Sequence, residues 1–146
     1  MDTKGILRPE EKVRYPLWAW HTRGWKHKKP DLRCSGMGRK GEMMACVEFE
    51  IPDSQVLLSD FHLWHFVLND MWLDESRCEE EWEEMHNWYD TQSAEVQAQL
   101  KRESWNRIFD LNPICTDWRE VGCDIQAVFW KLRKETITKI YYFIAE

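Results

Sequence analysis

The chain has 146 residues, of which 43% are hydrophobic and 14% aromatic, enough apolar side chains to build one domain with its own core. Its net charge of −6 argues against duplex nucleic acid as a partner, and its apolar runs are too short to cross a bilayer. Residues 1–11 lack the apolar stretch of a signal peptide, and the five cysteines show no Cys-x-x-Cys spacing. We therefore expect a single cytoplasmic domain over residues 1–146, with neither a disulfide framework nor a zinc ribbon.

The first half of the chain reads as strands joined by a long basic loop. Residues 15–21 alternate and hold several aromatic side chains, which predicts a strand. Residues 22–42 are rich in Gly, Lys and Arg and predict a surface loop. The apolar run over residues 43–51 predicts a second strand that ends at Pro52, and residues 56–58 continue the sheet after that turn.

Two amphipathic helices follow from helical spacing and capping residues. Ser59 or Asp60 is a good N-cap for a helix that ends near residues 69–70. A second helix is expected over residues 93–108, ended by Asn112 and Pro113. In its last part, Trp105 is expected to anchor the packing.

The stretch 74–90 is the most acidic part of the chain, and within it the five glutamates of residues 79–84 are interrupted and followed by aromatic residues. Charge runs of this kind usually form the solvated face of a helix. The alternative is an acidic docking surface that imitates nucleic acid and binds a protein target. Both interpretations remain open from the sequence.

The chain closes with two β-branched and aromatic segments, residues 125–132 and 138–145, which predict a closing pair of strands. Together with the helices they predict an α+β fold, a mixed or antiparallel sheet with two to four helices. No repeat or linker divides the chain.

Charge is distributed unevenly along the sequence. Residues 1–41 hold eleven Lys/Arg against four Asp/Glu, a balance of +7, which leaves nine against twenty-two for the remainder. The same basic segment holds several tryptophans. Indole rings stack on flat bases and Arg or Lys side chains neutralise phosphates, so this segment favours a nucleotide-like ligand.

Several separate blocks of the sequence resemble a known family. The blocks are YPLWAWHTRGWKHKKPDLR, CVEFEIPDSQVLLSDFHLWHFVLND, ESWNRIFDL and IQAVFWKLRKETITKIYYFIA. They are similar to a family of uncharacterised bacterial and phage proteins, domain of unknown function 3841, which has no assigned activity. Its members usually carry more residues ahead of Trp18, so we expect an opening strand and helix to be missing here. The resemblance implies a bacterial host cell.

The end of the chain is also similar to ADP-ribosyltransferase-like domains, in which a catalytic acid begins the penultimate strand. Gln126 occupies that place here. An amide cannot act as a carboxylate that stabilises an oxocarbenium-like centre or accepts a proton. The resemblance therefore implies a pocket for a nicotinamide or ADP-ribose type of ligand rather than transfer activity.

The candidate ligand-binding residues combine aromatic, cationic and polar side chains. They are Trp18, Trp20, His21, Arg23, Lys29, Arg33, Arg39, Lys40, Trp64, Arg107 and Gln126. Each has a structural alternative: Trp18 and Trp20 share one side of a strand and are also suited to core packing. Arg33 can pair with Asp31, and Arg107 can act as a salt-bridge partner. The segment CSGMGRKG, residues 34–41, is either a nest of backbone amides for phosphate or an ordinary loop.

Neither a metal nor a cofactor is expected. His62 and His65 are three residues apart, but a metal site needs further ligands in space. A nucleophilic pair of Cys34 and His21 lacks any feature except positive charge that would lower the pKa of the thiol.

We draw three functional hypotheses from these patterns. The first is a binding protein for a phosphorylated nucleotide derivative, of the cyclic nucleotide or ADP-ribose type, acting as a phage counter-defence protein that sequesters an immune signal. The second is an NAD-using enzyme of the ADP-ribosyltransferase-like class, and the third is a protein-interaction or inhibitor module with an acidic surface. Ten tryptophans exceed what a core of this size encloses, which favours a homodimer.

Overall fold

The computed structural model describes residues 4–6, 8, 13–33 and 38–146. Within these residues the strands are β1 (Leu17–Thr22), β2 (Met43–Phe49), β3 (Val56–Asp60), β4 (Ile114–Cys115), β5 (Glu120–Val121), β6 (Ile125–Phe129) and β7 (Ile137–Ile144). The helices are α1 (Phe61–Leu68), α2 (Glu79–Asp90) and α3 (Ala94–Ser104). The sheets have the orders β1-β6-β3, β2-β7 and β4-β5. The fold is therefore α+β, as predicted.

The chain forms two compact units. The first, called the ribbon unit, comprises Met1–Ala19, His27–Leu57 and Ala127–Glu146. The second, called the helical unit, comprises Trp20–Lys26 and Leu58–Gln126. No helix in the described part of the chain is long and apolar enough to cross a membrane.

The ribbon unit is built on the antiparallel pair β2 and β7. Their register runs from Met43 opposite Ile144 to Glu48 opposite Lys139, where a β-bulge shifts it before Phe49. The Phe49 ring meets the buried Phe129 ring edge to face at 5.2 Å between centroids. Aromatic packing therefore anchors one end of the ribbon.

The helical unit has a core around Leu63, Leu73, Ile108 and Val121. Helix α1 begins where predicted, because the fully buried Asp60 accepts a 2.8 Å hydrogen bond from the Leu63 N–H. The second carboxylate oxygen of Asp60 accepts from the Gly122 N–H at 2.6 Å. One side chain thus caps the helix and holds the segment that leads into β6.

A buried polar network around Asp74 fixes the segment between α1 and α2. Its carboxylate accepts from the backbone and hydroxyl of Ser76 and from the Arg119 guanidinium, and it lies 3.4 Å from the His86 Nε2. Burial by itself raises the pKa of Asp74. The hydrogen bonds from Ser76 and His86 and the charge of Arg119 outweigh that effect, so the pKa lies below its usual value.

Three details of the predicted elements need correction. The predicted closing strands are not partners, because β6 lies between β1 and β3 while β7 pairs with β2. The helix predicted over residues 93–108 ends at Ser104, and Trp105–Phe109 form a 3₁₀ turn. The expected loop over residues 22–42 begins with a tight hairpin turn at residues 23–26. Cys34 to Met37 lie outside the described residues.

Candidate functional site

The tight turn after β1 has an unusual backbone. The N–H of Arg23 donates to the carbonyl of Lys26 at 3.0 Å, and the N–H of Lys26 donates back at 3.2 Å. Gly24 and Trp25 between them have φ values of 56° and 64°, the pattern of a type I′ turn. A positive φ is favourable for glycine but strained for tryptophan. The surrounding structure must therefore hold Trp25 in place.

Two hydrogen bonds hold this turn against the segment before β6, and in both of them the turn supplies the N–H donor. The N–H of Trp25 donates to the Cys123 carbonyl at 3.0 Å. The N–H of Gly24 donates to the Asp124 carboxylate at 2.7 Å. Because Asp124 also accepts from the Phe61 N–H through its own carbonyl, it connects the turn to the start of α1.

Aromatic and cationic side chains meet beside the turn. The Arg23 guanidinium lies 4.9 Å from the centroid of the Trp20 ring, within the range of a cation–π contact. The Trp20 ring in turn meets the Phe61 ring edge to face at 5.0 Å. Arg23 is exposed, whereas Trp20 and Phe61 are half-buried. The arrangement therefore exposes the charged Arg23 guanidinium beside the Trp20 ring.

Histidine and carboxylate groups complete the cluster. The His62 Nε2 lies 3.3 Å from the Asp124 Oδ2, with about half of the His62 side chain (49%) exposed. His65 lies against the Phe61 ring at 4.7 Å. We call these contacting residues the hairpin cluster: Trp20, Arg23, Gly24, Phe61, His62, His65 and Asp124.

The predicted site residues of the helical unit are only partly brought together. Trp20 and Arg23 are in contact, whereas Trp64 packs against the core. Arg107 donates to the carbonyls of Leu73 and Asp74, and its Nε lies 3.4 Å from Glu75. The predicted salt bridge of Arg107 is thereby confirmed.

The remaining candidates of this unit lie on its strands, and the predicted anchor lies nearby. The His21 ring lies 3.0 Å from the Thr22 hydroxyl. Gln126 is half-buried on β6. The indole N–H of Trp105, the residue expected to anchor the packing, donates to the Met71 carbonyl at 2.8 Å.

The other candidates belong to the ribbon unit. The Arg33 guanidinium forms a two-point ion pair with Asp31 at 2.9 and 2.7 Å, which confirms the predicted pairing. Hydrogen bonds from Arg33 hold the pKa of Asp31 well below its usual range. The Lys29 ammonium lies 4.4 Å from the centroid of the Tyr141 ring. Trp18, Arg39 and Lys40 are exposed.

Sequence reasoning did not single out Asp124 or the turn at Trp25. A carboxylate directly before a predicted strand was a usable signal for Asp124, because side chains at strand ends often hold neighbouring turns. Trp25 gave no such signal, since type I′ turns usually carry Asn-Gly or Asp-Gly.

The described residues also include metal-ligating side chains and thiols. No group of three or more metal-ligating side chains occurs among those residues. Burial raises the pKa of the Cys46 and Cys123 thiols, which disfavours the reactive thiolate. The proposed pair of Cys34 and His21 involves a cysteine outside the described residues.

The protein therefore has an α+β fold. An arginine, two histidines and a carboxylate lie around the turn that follows β1, and the arginine lies beside the Trp20 ring. The chain belongs to the family described as Domain of unknown function (DUF3841), whose profile matches residues 2–138. No curated protein and no solved structure matches the chain.

Proposed function

We propose that this protein binds a small phosphorylated nucleotide derivative, of the cyclic nucleotide or ADP-ribose type, at the hairpin cluster. The observation that carries the proposal is the Arg23 guanidinium held 4.9 Å from the Trp20 ring centroid. Guanidinium groups form two-point hydrogen bonds with phosphate, and a stacked guanidinium is already oriented for them. The cluster thus offers an exposed cation beside a half-buried aromatic ring.

Neighbouring groups of the cluster add the polar contacts that a nucleotide derivative needs. The half-exposed His62 ring offers a polar contact, and the Asp124 carboxylate beside it holds the turn that carries Arg23. These residues all lie in the helical unit. The proposal leaves Trp64 and Arg107 aside because packing and backbone carbonyls already engage them.

Calorimetric titration with cyclic nucleotides, ADP-ribose and cyclic ADP-ribose isomers tests the proposal. We expect heat of binding with at least one of them, and Arg23→Gln should weaken it about tenfold or more, since a charge-assisted hydrogen bond contributes about 1.5–3 kcal/mol. Arg102→Gln, which changes an exposed arginine on α3, is the matched control. Binding heat absent with every ligand, or equal losses in both variants, would refute the proposed site.

A second candidate is an NAD-using enzyme of the ADP-ribosyltransferase-like class. It is favoured by the 3.3 Å approach of the His62 Nε2 to Asp124, a carboxylate two residues before Gln126. An imidazole beside a carboxylate is suited to proton transfer. Incubation with NAD and measurement of released nicotinamide separates the two candidates, because a binding protein releases none.

The wider role is part of the same proposal. We propose that the protein acts in the bacterial cytoplasm, that a phage uses it against host defence by sequestering an immune signal, and that copies of the chain associate. An additional protein target would dock on α2, whose five glutamates, Glu79, Glu80, Glu81, Glu83 and Glu84, are all exposed. Binding of such a target should weaken steeply with added salt.

A further inference from the structure

The ribbon formed by β2 and β7 has one face made of apolar side chains. In the antiparallel register Met43 lies opposite Ile144, Ala45 opposite Tyr142, and Val47 opposite Ile140. Directly opposed residues project from the same face of a ribbon, and so do alternate residues along each strand. These six residues, called the apolar ribbon face, therefore form one continuous surface.

Most of this surface is in contact with water. The exposed fractions are 72% for Met43, 46% for Ile140, 73% for Tyr142 and 54% for Ile144. On β7 the alternate residues Tyr141 and Phe143, which project from the other face, are half-buried. The ribbon thus buries one side and leaves its more apolar side uncovered. A two-stranded ribbon is marginally stable in water unless a further layer covers its apolar face.

Area and charge indicate which partner fits this surface. The four large side chains expose about 500 Å² per copy, so two copies together would bury about 1,000 Å², the lower bound of a specific interface. None of the six side chains is charged. A surface without charge offers no electrostatic pattern for a charged partner, but it is complementary to itself.

We infer that the apolar ribbon face binds the same face of a second copy of this chain. A two-fold axis parallel to the strands would place β2 of each copy over β7 of the other, with the sheets about 10 Å apart. In that arrangement the large Tyr142 lies over the small Ala45 of the other copy, and Val47 lies over Ile140. The inference rests on the proposed association of copies and not on ligand binding.

Sedimentation equilibrium of the full chain across the micromolar range tests the inference. The wild-type protein should show twice the chain mass of 17.8 kDa. Ile144→Lys should show one chain mass, because two lysines would have to enter an apolar interface without partners. Ile114→Lys, which changes an exposed isoleucine of β4 in the helical unit, is the matched control and should keep the doubled mass.

A second variant tests the arrangement itself. Ala45→Phe makes the face more apolar yet fills the position over which Tyr142 would pack, so it should weaken association. Tighter association of Ala45→Phe would overturn the inference. Circular dichroism verifies that each variant is folded, and Tyr142→Lys replaces Ile144→Lys if the latter is not.

The remaining outcomes have distinct meanings. A wild-type protein with a single chain mass overturns both the inference and the proposed association, and sedimentation of that single chain with lipid vesicles would identify a lipid surface as the occupant instead. A doubled mass that persists in Ile144→Lys overturns the inference alone. Loss of the doubled mass in Ile114→Lys has the same consequence.

Discussion

At the scale of single residues, the turn at Gly24 and Trp25 carries the most information. Both residues have positive φ, but only Gly24 is of the type that adopts this conformation freely. Trp25 adopts it because the carbonyl of Cys123 accepts its N–H. Sequence patterns could not predict the turn, since its hydrogen-bond partners lie about a hundred residues further along the chain.

Gly24→Ala provides a test of this backbone requirement. A Cβ at this position meets no other atom within 4 Å, so the cost arises from the positive φ alone. We expect the free energy of unfolding to fall by about 1 kcal/mol in a urea titration. Gly24→Asn should lose less, because asparagine tolerates this region better. Equal losses in the two variants would contradict the prediction.

Asp74 makes stability depend on pH in a predictable direction. Its pKa is lowered in the folded protein, so in acid the unfolded chain binds more protons and the free energy of unfolding decreases. This contribution is complete above the ordinary aspartate pKa and is lost as pH falls below it. Urea titrations between pH 5 and pH 3, below the range in which histidines ordinarily titrate, should show the decline.

The variant Asp74→Asn should be less stable at neutral pH and should show a shallower decline over the same pH window. Asp117→Asn, which changes an exposed aspartate of the helical unit, is the control. If Asp74→Asn retained the full wild-type pH dependence, another group would be responsible for the decline.

At the scale of secondary structure, helices and strands were predictable but their partners were not. Helix α1 followed from Asp60, a capping residue whose interaction with Leu63 is local in sequence. Strands β6 and β7 followed from their β-branched composition, but composition does not state which strand pairs with which. The end of α3 was missed because helical spacing does not distinguish an α-helix from the 3₁₀ turn that begins at Trp105.

Tyr89 joins helix α2 to helix α3 by a hydrogen bond and also stacks on Trp72. A conservative substitution can remove the hydrogen bond and keep the stacking. The Tyr89 ring stacks on Trp72 at 4.6 Å with an interplanar angle of 7°, while its hydroxyl donates to the Gln97 carbonyl at 3.1 Å. Tyr89→Phe keeps the stacking and removes the hydrogen bond, so we expect a loss of about 1 kcal/mol in a urea titration. Tyr89→Leu should lose more, because it also removes the stacking. A neutral Tyr89→Leu would show that the ring contact contributes nothing.

At the scale of the whole molecule, composition predicted that some tryptophans are exposed, but it did not predict which surface would bind a second copy. Trp18, Trp25, Trp82, Trp88 and Trp118 are all exposed, which confirms that the core does not enclose every tryptophan. The proposed interface nevertheless lies on β2 and β7, which hold none of them. Aromatic content therefore predicted surplus apolar surface, while the register of the ribbon was needed to locate it.

The proposed association of copies would make thermal stability depend on protein concentration. If a second copy binds the folded chain, mass action raises the melting temperature by roughly 2 °C for each tenfold rise in concentration. Scanning calorimetry over a hundredfold concentration range measures this shift. Ile144→Lys should show no such dependence, and an equally strong dependence in that variant would contradict the prediction.

The long-range hydrogen bonds of the Gly24 turn have a consequence for the order of folding. Gly24 and Asp124 are separated by 100 positions, so the chain must close a large loop before the turn gains its supports. The capping of α1 by Asp60 is local in sequence, whereas the arginine and indole beside the turn are oriented only after that closure. The proposed ligand binding should therefore arise late during refolding, after helical signals have recovered.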